Sequence, residues 1–347
     1  MNAHMKRSLV VVAALVVLST FAYAQAPAPG PRAVGVSILH LNVTNLDKSM
    51  ALYRDVLGME VTTPPREPRA NPGLVSEAGA VMRTVILKQP GGPFSMELVE
   101  FSGVALRPVQ PRIQDPGEIM LAVGVRDLDA KLAAAKKLGL RVLSKDGVPF
   151  VSEGRGGRNR AVMVRDPDGF IVEFTEGGNA NASAAPGPIT SVAVYVSVQD
   201  LAQTVNFYNK AFGFTIPAPS EAGPTPERIK ALFGDTSLAT VRMARGTFPG
   251  SEFAINFQEF RGPDRKPARH RVQDPGGPIL LVQVQDFSAV LDLIRSNGGI
   301  IGLGETSETL APDARVTWVR DPNGVLLRVS PPAAPRGGAP AAPPRTQ

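Results

Sequence analysis

Ile38-Leu-His-Leu-Asn-Val-Thr-Asn-Leu46 recurs without a gap as Ala193-Val-Tyr-Val-Ser-Val-Gln-Asp-Leu201. The match continues through Tyr53-x4-Gly58 and Tyr208-x4-Gly213. Arg112-Ile-Gln-Asp-Pro-Gly117 returns as Arg271-Val-Gln-Asp-Pro-Gly276, and Val164-Arg-Asp-Pro-Asp-Gly169 returns as Val319-Arg-Asp-Pro-Asn-Gly324. Three anchors in one order, at offsets of 155, 159 and 155, identify a duplication. The repeats lie in blocks 33–176 and 189–330. Segment 177–188 reads as a Gly/Asn/Ala/Pro linker, and 25–32 and 331–347 as Pro/Ala-rich tails unable to form a core.

Each block is doubled again. An alternating β-branched run leads to a cap at Asn45 or Asp200. A helix with Met50, Tyr53, Val56 and Leu57 on its apolar stripe follows, and Gly58 stops it. The unit recurs as strand 119–125, cap Asp127, and a helix with Leu128, Leu132, Ala135 and Leu138. It recurs once more from 279 with cap Asp286 and Val290, Leu291 and Ile294. Asp-Pro-Asp-Gly and Asp-Pro-Asn-Gly supply Pro early in a turn and Gly where φ is positive. The chain therefore reads as four β-α-β-β-β units. The expected fold is α+β, with two open cup-shaped sheets, one per block, and helices outside.

The chain has 347 residues and no Cys, which excludes disulfides, thiolate metal sites and a cysteine nucleophile. Lys6 and Arg7, the apolar run from Leu9 to Phe21 and Ala22-Tyr-Ala24 read as an export signal over 1–24. That run is short for a membrane span, so the expected location is periplasmic or secreted, with no stable span after cleavage. Setting aside Lys6, Arg7, Arg32, Arg336 and Arg345 leaves 32 of the 37 basic residues against 31 acidic ones. The folded part is near neutral, and no nucleic-acid partner is expected.

Leu46-Asp-Lys-Ser-Met-Ala-Leu-Tyr-Arg-Asp-Val-Leu-Gly58, Val125-Arg-Asp-Leu128 and Arg165-Asp-Pro-Asp-Gly-Phe-Ile-Val-Glu173 resemble the vicinal oxygen chelate superfamily. That superfamily includes glyoxalase I, bleomycin- and fosfomycin-resistance proteins and extradiol dioxygenases. The resemblance implies tandem glyoxalase-like domains. It speaks for the fold more than for the chemistry.

Strand parity assigns the faces. Leu39, Leu41, Val43, Val194, Val196 and Val198 should face the helices, and Ile38, His40, Asn42, Ala193, Tyr195 and Ser197 the cups. Glu97, Met120 and Glu173 should join the cup of block one, and Asn256, Ile279 and Arg328 that of block two. The resemblance implies metal ligands, commonly His, Glu, His and Glu, at four positions per cup. Block one has Ile38, Glu97, Met120 and Glu173 there. Block two has Ala193, Asn256, Ile279 and Arg328. An arginine repels a divalent cation and suits an anion.

Three functions stay open. The leading one is an exported small-molecule-binding protein with no metal cofactor, its ligand hydrophobic or anionic. The second is a lyase or dioxygenase using Fe, Mn or Zn on His40, Glu97 and Glu173, with His40 about 6.6 Å along its strand from the family position. Close, buried Glu97 and Glu173 could also leave one carboxyl as a general base. The third is a structural or partner-binding duplicate whose cups are filled. Arg155 and Arg158, in Glu153-Gly-Arg-Gly-Gly-Arg-Asn-Arg160, are candidate anion contacts. Thr225 to Gly234 reads as a short extra helix forming a lid or wall over the second cup. His270 is expected to be exposed. Monomer and homodimer are both compatible with the sequence.

Overall fold

The computed structural model describes residues 32–332, apart from 66, 71–76, 111, 155–156, 178–186, 220, 250–252, 263 and 312. The expected export segment, most of the linker, and the tails except Arg32, Pro331 and Pro332 lie outside the described residues.

Unit one contains β1 (Arg32–Val43), α1 (Leu46–Met50), β2 (Glu60–Thr63), β3 (Arg69–Ala70), β4 (Val81–Lys88) and β5 (Ser95–Ser102). A wider helical turn, Ala51–Val56, continues α1. Unit two contains β6 (Ile119–Val125), α2 (Leu128–Lys137), β7 (Phe150–Gly154), β8 (Gly157–Arg165) and β9 (Ile171–Gly177). Unit three contains β10 (Ile189–Ser197), α3 (Leu201–Phe212), β11 (Gly223–Pro224), α4 (Glu227–Phe233), β12 (Thr240–Thr247) and β13 (Ala254–Arg261). Unit four contains β14 (Pro278–Gln285), α5 (Phe287–Ser296), β15 (Ile300–Ile301), β16 (Thr317–Arg320) and β17 (Leu326–Ser330).

The expected caps form. Asn45 accepts from Lys48 N–H, Asp127 from Ala130, Asp200 from Gln203 and Asp286 from Ala289. Each satisfies one of the orphan donors of a first helical turn. Parity holds as well. Leu39, Leu41, Val43, Val194, Val196 and Val198 are buried in the core between sheets and helices.

Among the described residues the strands form one nine-stranded and one eight-stranded mixed sheet, and neither closes into a barrel. Their membership differs from the expected one cup per block. Sheet one runs β15-β16-β17-β14-β1-β5-β4-β2, with β3 on β4, and so joins unit one to unit four. Sheet two runs β11-β12-β13-β10-β6-β9-β8-β7 and joins unit three to unit two. The central seams are antiparallel. His40 sits opposite Ile279 in one, and Tyr195 opposite Met120 in the other. β6 and β14 carry the same alternating pattern, so β1 fits either edge by parity, and the choice lies in the connections.

Those connections are the two Arg-x-Gln-Asp-Pro-Gly segments. The chain leaves sheet one after β5 through 103–118 and returns to it through 262–277. The expected local bonds are present: Asp115 accepts from Arg112 N–H at 3.0 Å, and Asp274 from Arg271 N–H at 2.9 Å. The two segments also clasp each other. Ala268 N–H donates to Pro116 O at 2.7 Å and Val109 N–H to Pro275 O at 2.8 Å. Asp115 takes Lys266 N–H at 2.9 Å, and Asp274 takes Arg107 N–H at 3.1 Å. Gly117 and Gly276, one in each segment, have positive φ of 91° and 80°. A Cβ on Gly276 would come within 2.8 Å of Val109 O, and one on Gly117 within 2.9 Å of Ala268 O.

Between units of one block the link is different. Tyr53 Oη donates to Asp166 Oδ2 at 3.0 Å, and Tyr208 Oη donates to Asp321 Oδ2 at 3.2 Å. Both tyrosines are fully buried, as their positions on the helix stripes imply. Blocks are thus tied through helices and turns, and cups are completed by exchange between blocks.

Candidate functional site

The exchange redistributes the expected site residues. Ile38, His40, Asn42, Glu97, Ile279 and Arg328 belong to sheet one, and Met120, Glu173, Tyr195, Ser197 and Asn256 to sheet two. Glu97 and Glu173 therefore do not share a cup, and the His40, Glu97 and Glu173 set is not assembled. Arg155 lies outside the described residues. Arg158 is exposed on the β7–β8 hairpin, with its charge near Asp129 rather than in a cup.

In sheet one, His40 is buried between two partners. Its Nδ1 lies 3.0 Å from Glu97 Oε2, and its Nε2 lies 2.9 Å from Asn42 Oδ1. The amide orientation of Asn42 is set by its Nδ2, which donates to Val272 O and, at 3.3 Å, to Gly277 O. Both imidazole nitrogens therefore face acceptors, and neither presents a lone pair to a metal. Burial pushes the Glu97 carboxyl up, but the hydrogen bond and charge of His40, with Arg328, hold it below its ordinary value. Two donors beside a guanidinium do not make a divalent-cation site. Much of the remaining concave face is a packed apolar cluster including Val99, Phe101, Ile279, Leu281, Trp318 and Leu326. His270 is buried rather than exposed, because the crossover clasp covers it. Its Nε2 lies 3.0 Å from Pro278 O, and burial with the nearby Arg320 charge pushes its pKa down to about 4.

In sheet two, Glu173 is buried and accepts from Arg228 Nη2 at 2.7 Å. Burial raises its pKa, and Arg228 offsets only part of that rise. Arg228 comes from α4, the helix expected from Thr225 to Gly234, and α4 does lie over this cup. Its Leu232, with Ile229 and Phe233, packs into the cluster of Met120, Met163, Ile171 and Phe260. Ser197 Oγ bonds Ile113 O and takes Gln258 Nε2 at 3.2 Å, so Ser197 serves the floor of the cup. Here too the metal positions do not fit a cation: Glu173 already carries a guanidinium, and Met120 and Ala193 offer no hard donor. Among the described residues no group of three His, Cys, Asp or Glu is placed to hold a metal ion.

A crevice of about 510 Å³ opens where the Gln89–Phe94 turn of sheet one meets the ends of β10, β12 and β13. Tyr195, Asn256, Ala193 and Arg245 line it from sheet two. Phe94 and Phe253 stack beneath it, with centroids 5.4 Å apart. Gln89 is 4% exposed, yet its amide makes no hydrogen bond among the described residues. Asn256 makes only a long bond, 3.4 Å, to Val194 O. Arg245 is exposed and has no ion-pair partner among the described residues. Burial and the Glu173 charge raise the Tyr195 hydroxyl pKa, while Arg228 and Arg245 oppose that rise. This arrangement supplies amide groups, a phenol and an uncompensated cation to a guest, the chemistry of oxyanion recognition. Sequence reading placed Tyr195 and Asn256 here but missed Gln89, Arg228 and Arg245. The alternation Val241, Met243, Arg245 along β12 carried the signal for the last of these.

A sequence profile described as the Glyoxalase/Bleomycin resistance protein/Dioxygenase superfamily matches residues 35–174 and 189–329. No curated protein sequence matches the chain. Glyoxalase I from Zea mays is similar in structure: TM-score 0.52, 15% identity, 87% of this chain and 92% of that one. A putative dioxygenase from Bacillus subtilis subsp. subtilis str. 168 gives TM-score 0.51 and 12% identity, covering 87% of this chain and 86% of that one.

Proposed function

The chain belongs to the Glyoxalase/Bleomycin resistance protein/Dioxygenase superfamily, and within it we propose an exported protein that binds a small anionic molecule without the family's usual metal. The ligand occupies the crevice at the mouth of the sheet-two cup. One observation carries the reading: the Gln89 amide, without a hydrogen bond among the described residues, and Arg245, without an ion-pair partner among them, line the same crevice. Both are free to pair with a guest, which would gain a charge-assisted hydrogen bond from Arg245 and an amide donor from Gln89. Export rests on the apolar segment at residues 9–21 and its flanking residues. The sheet-one cup, filled by its own side chains, serves structure. The metal-dependent lyase or dioxygenase reading has less support, since His40 is committed on both nitrogens and Glu173 lies in the other sheet.

The test is a thermal-shift screen of small carboxylates and phenolates. At least one compound should raise the melting temperature of the wild-type chain. Its affinity should fall by about tenfold or more in Arg245→Ala, the scale of a lost charge-assisted hydrogen bond. A screen in which no compound shifts the wild type, or in which Arg245→Ala responds as the wild type does, refutes the reading.

A further inference from the structure

A second crevice, of about 490 Å³, lies outside both cups. It opens between α1, the end of α2 and the Asp166–Gly169 turn. Three of its lining residues are cationic: Lys48, Arg141 and Arg165. Lys48 and Arg141 are exposed, and neither has an ion-pair partner among the described residues. Arg165 is held by the turn, its Nη1 donating to Gly169 O. Arg141 lies close enough for its charge, together with burial, to make the Arg165 guanidinium less basic than usual. Glu118 and, less, Asp166 offset part of that repulsion.

The one acidic residue in the lining is Asp166, and its oxygens are committed elsewhere. Oδ1 accepts the N–H groups of Asp168 and Phe170, each at 2.9 Å, and Oδ2 accepts the Tyr53 hydroxyl. Asp168, near Lys48, bonds Thr44 through its Oδ1 at 2.6 Å.

The duplication provides an internal control. Arg165 corresponds to Arg320, which likewise donates to the carbonyl of its turn glycine, Gly324, at 3.3 Å. That arginine belongs to the turn in both copies. Lys48 and Arg141 correspond to Gln203 and Ile300, so the two added cations occur in block one alone.

We propose that this crevice binds a small dianionic oxyanion, a phosphate group, between Lys48, Arg141 and Arg165. A doubly charged guest relieves the repulsion among like charges and finds charge-assisted donors in Lys48 and Arg141, with the Arg165 charge alongside. The site is independent of the sheet-two crevice.

Isothermal titration of the full chain tests it, in the wild type and in Arg245→Ala, which removes the cation of the sheet-two crevice, with inorganic phosphate and glycerol phosphate as titrants and acetate as a monoanion control. Saturable binding of either phosphate, much stronger than that of acetate, is expected. Equal binding of both marks free phosphate as sufficient, and binding of the ester alone marks a phosphorylated metabolite. The double variant Lys48→Gln with Arg141→Ile, which installs the block-two residues, should weaken binding by about tenfold or more. Its melting temperature should stay that of the wild type, since both side chains are exposed. Arg245→Ala should bind phosphate as the wild type does. No saturable heat with either phosphate, unchanged binding in the double variant, or loss of binding in Arg245→Ala overturns the proposal.

Discussion

The first block alone, residues 33–176, yields no folded monomer. In the full chain β1 is paired on one side to β14 and on the other to β5. β6 is held between β10 and β9 in the same way. Cutting at the linker strips one neighbour from each and exposes two long inner edges. Such edges leave rows of unpaired N–H and C=O groups and invite pairing with another chain. The cut also removes Ile279, Leu281, Trp318 and Leu326 from the apolar cluster against Val99 and Phe101. These losses act against a net stability of only roughly 5–15 kcal/mol for an ordinary domain. Light scattering with circular dichroism should find either an unfolded fragment or a dimer whose copies complete each other's sheets. A monomer of half size with a sharp melting transition would contradict the exchanged pairing.

Arg228→Leu should cost about 2 kcal/mol of stability at neutral pH. Removing one partner of a buried ion pair generally costs about 3–5 kcal/mol, and the partial exposure of Arg228 reduces that figure. The residual cost is that of the buried Glu173 carboxylate. Its pKa is already above the ordinary 4.5 because burial outweighs Arg228, and loss of Arg228 raises it further. A carboxyl whose folded pKa lies above its unfolded value favours the fold while protonated. That contribution is complete below about 4.5 and is lost as pH rises through the folded value. The deficit of Arg228→Leu should therefore be largest at pH 8 and shrink toward pH 5, measured by urea unfolding. Adding Glu173→Gln should recover most of it at pH 8. A deficit independent of pH would show that Arg228 acts through packing alone.

Much of the architecture is written locally and was readable for that reason. Strand alternation at Leu39, Leu41 and Val43, caps at Asn45 and Asp127, and the Asp-Pro-Asp-Gly turn each depend on neighbours in sequence. The partner of β1 does not. Leu121, Val123 and Val125 on β6 repeat the pattern of Leu280, Val282 and Val284 on β14, so parity alone accepts both. What decides is the clasp between 103–118 and 262–277, a contact between segments far apart in the chain. The error propagated to the site, for it placed Glu97 and Glu173 in one cup. Arg228 escaped for another reason: the stretch from Thr225 to Gly234 carries no residue match to block one, so the repeat could not point to it. His270 likewise sits in a polar stretch whose burial comes from the clasp.

The measurement that bears most directly on the functional account is metal stoichiometry, by elemental analysis of the chain purified after supplementation with iron, manganese and zinc. With His40 held by Glu97 and Asn42, and Glu173 held by Arg228, the account predicts clearly substoichiometric metal. It also predicts ligand-induced stabilisation that survives chelation and is unaltered by Glu97→Gln. One full equivalent of metal, lost in Glu97→Gln together with ligand binding, would contradict it.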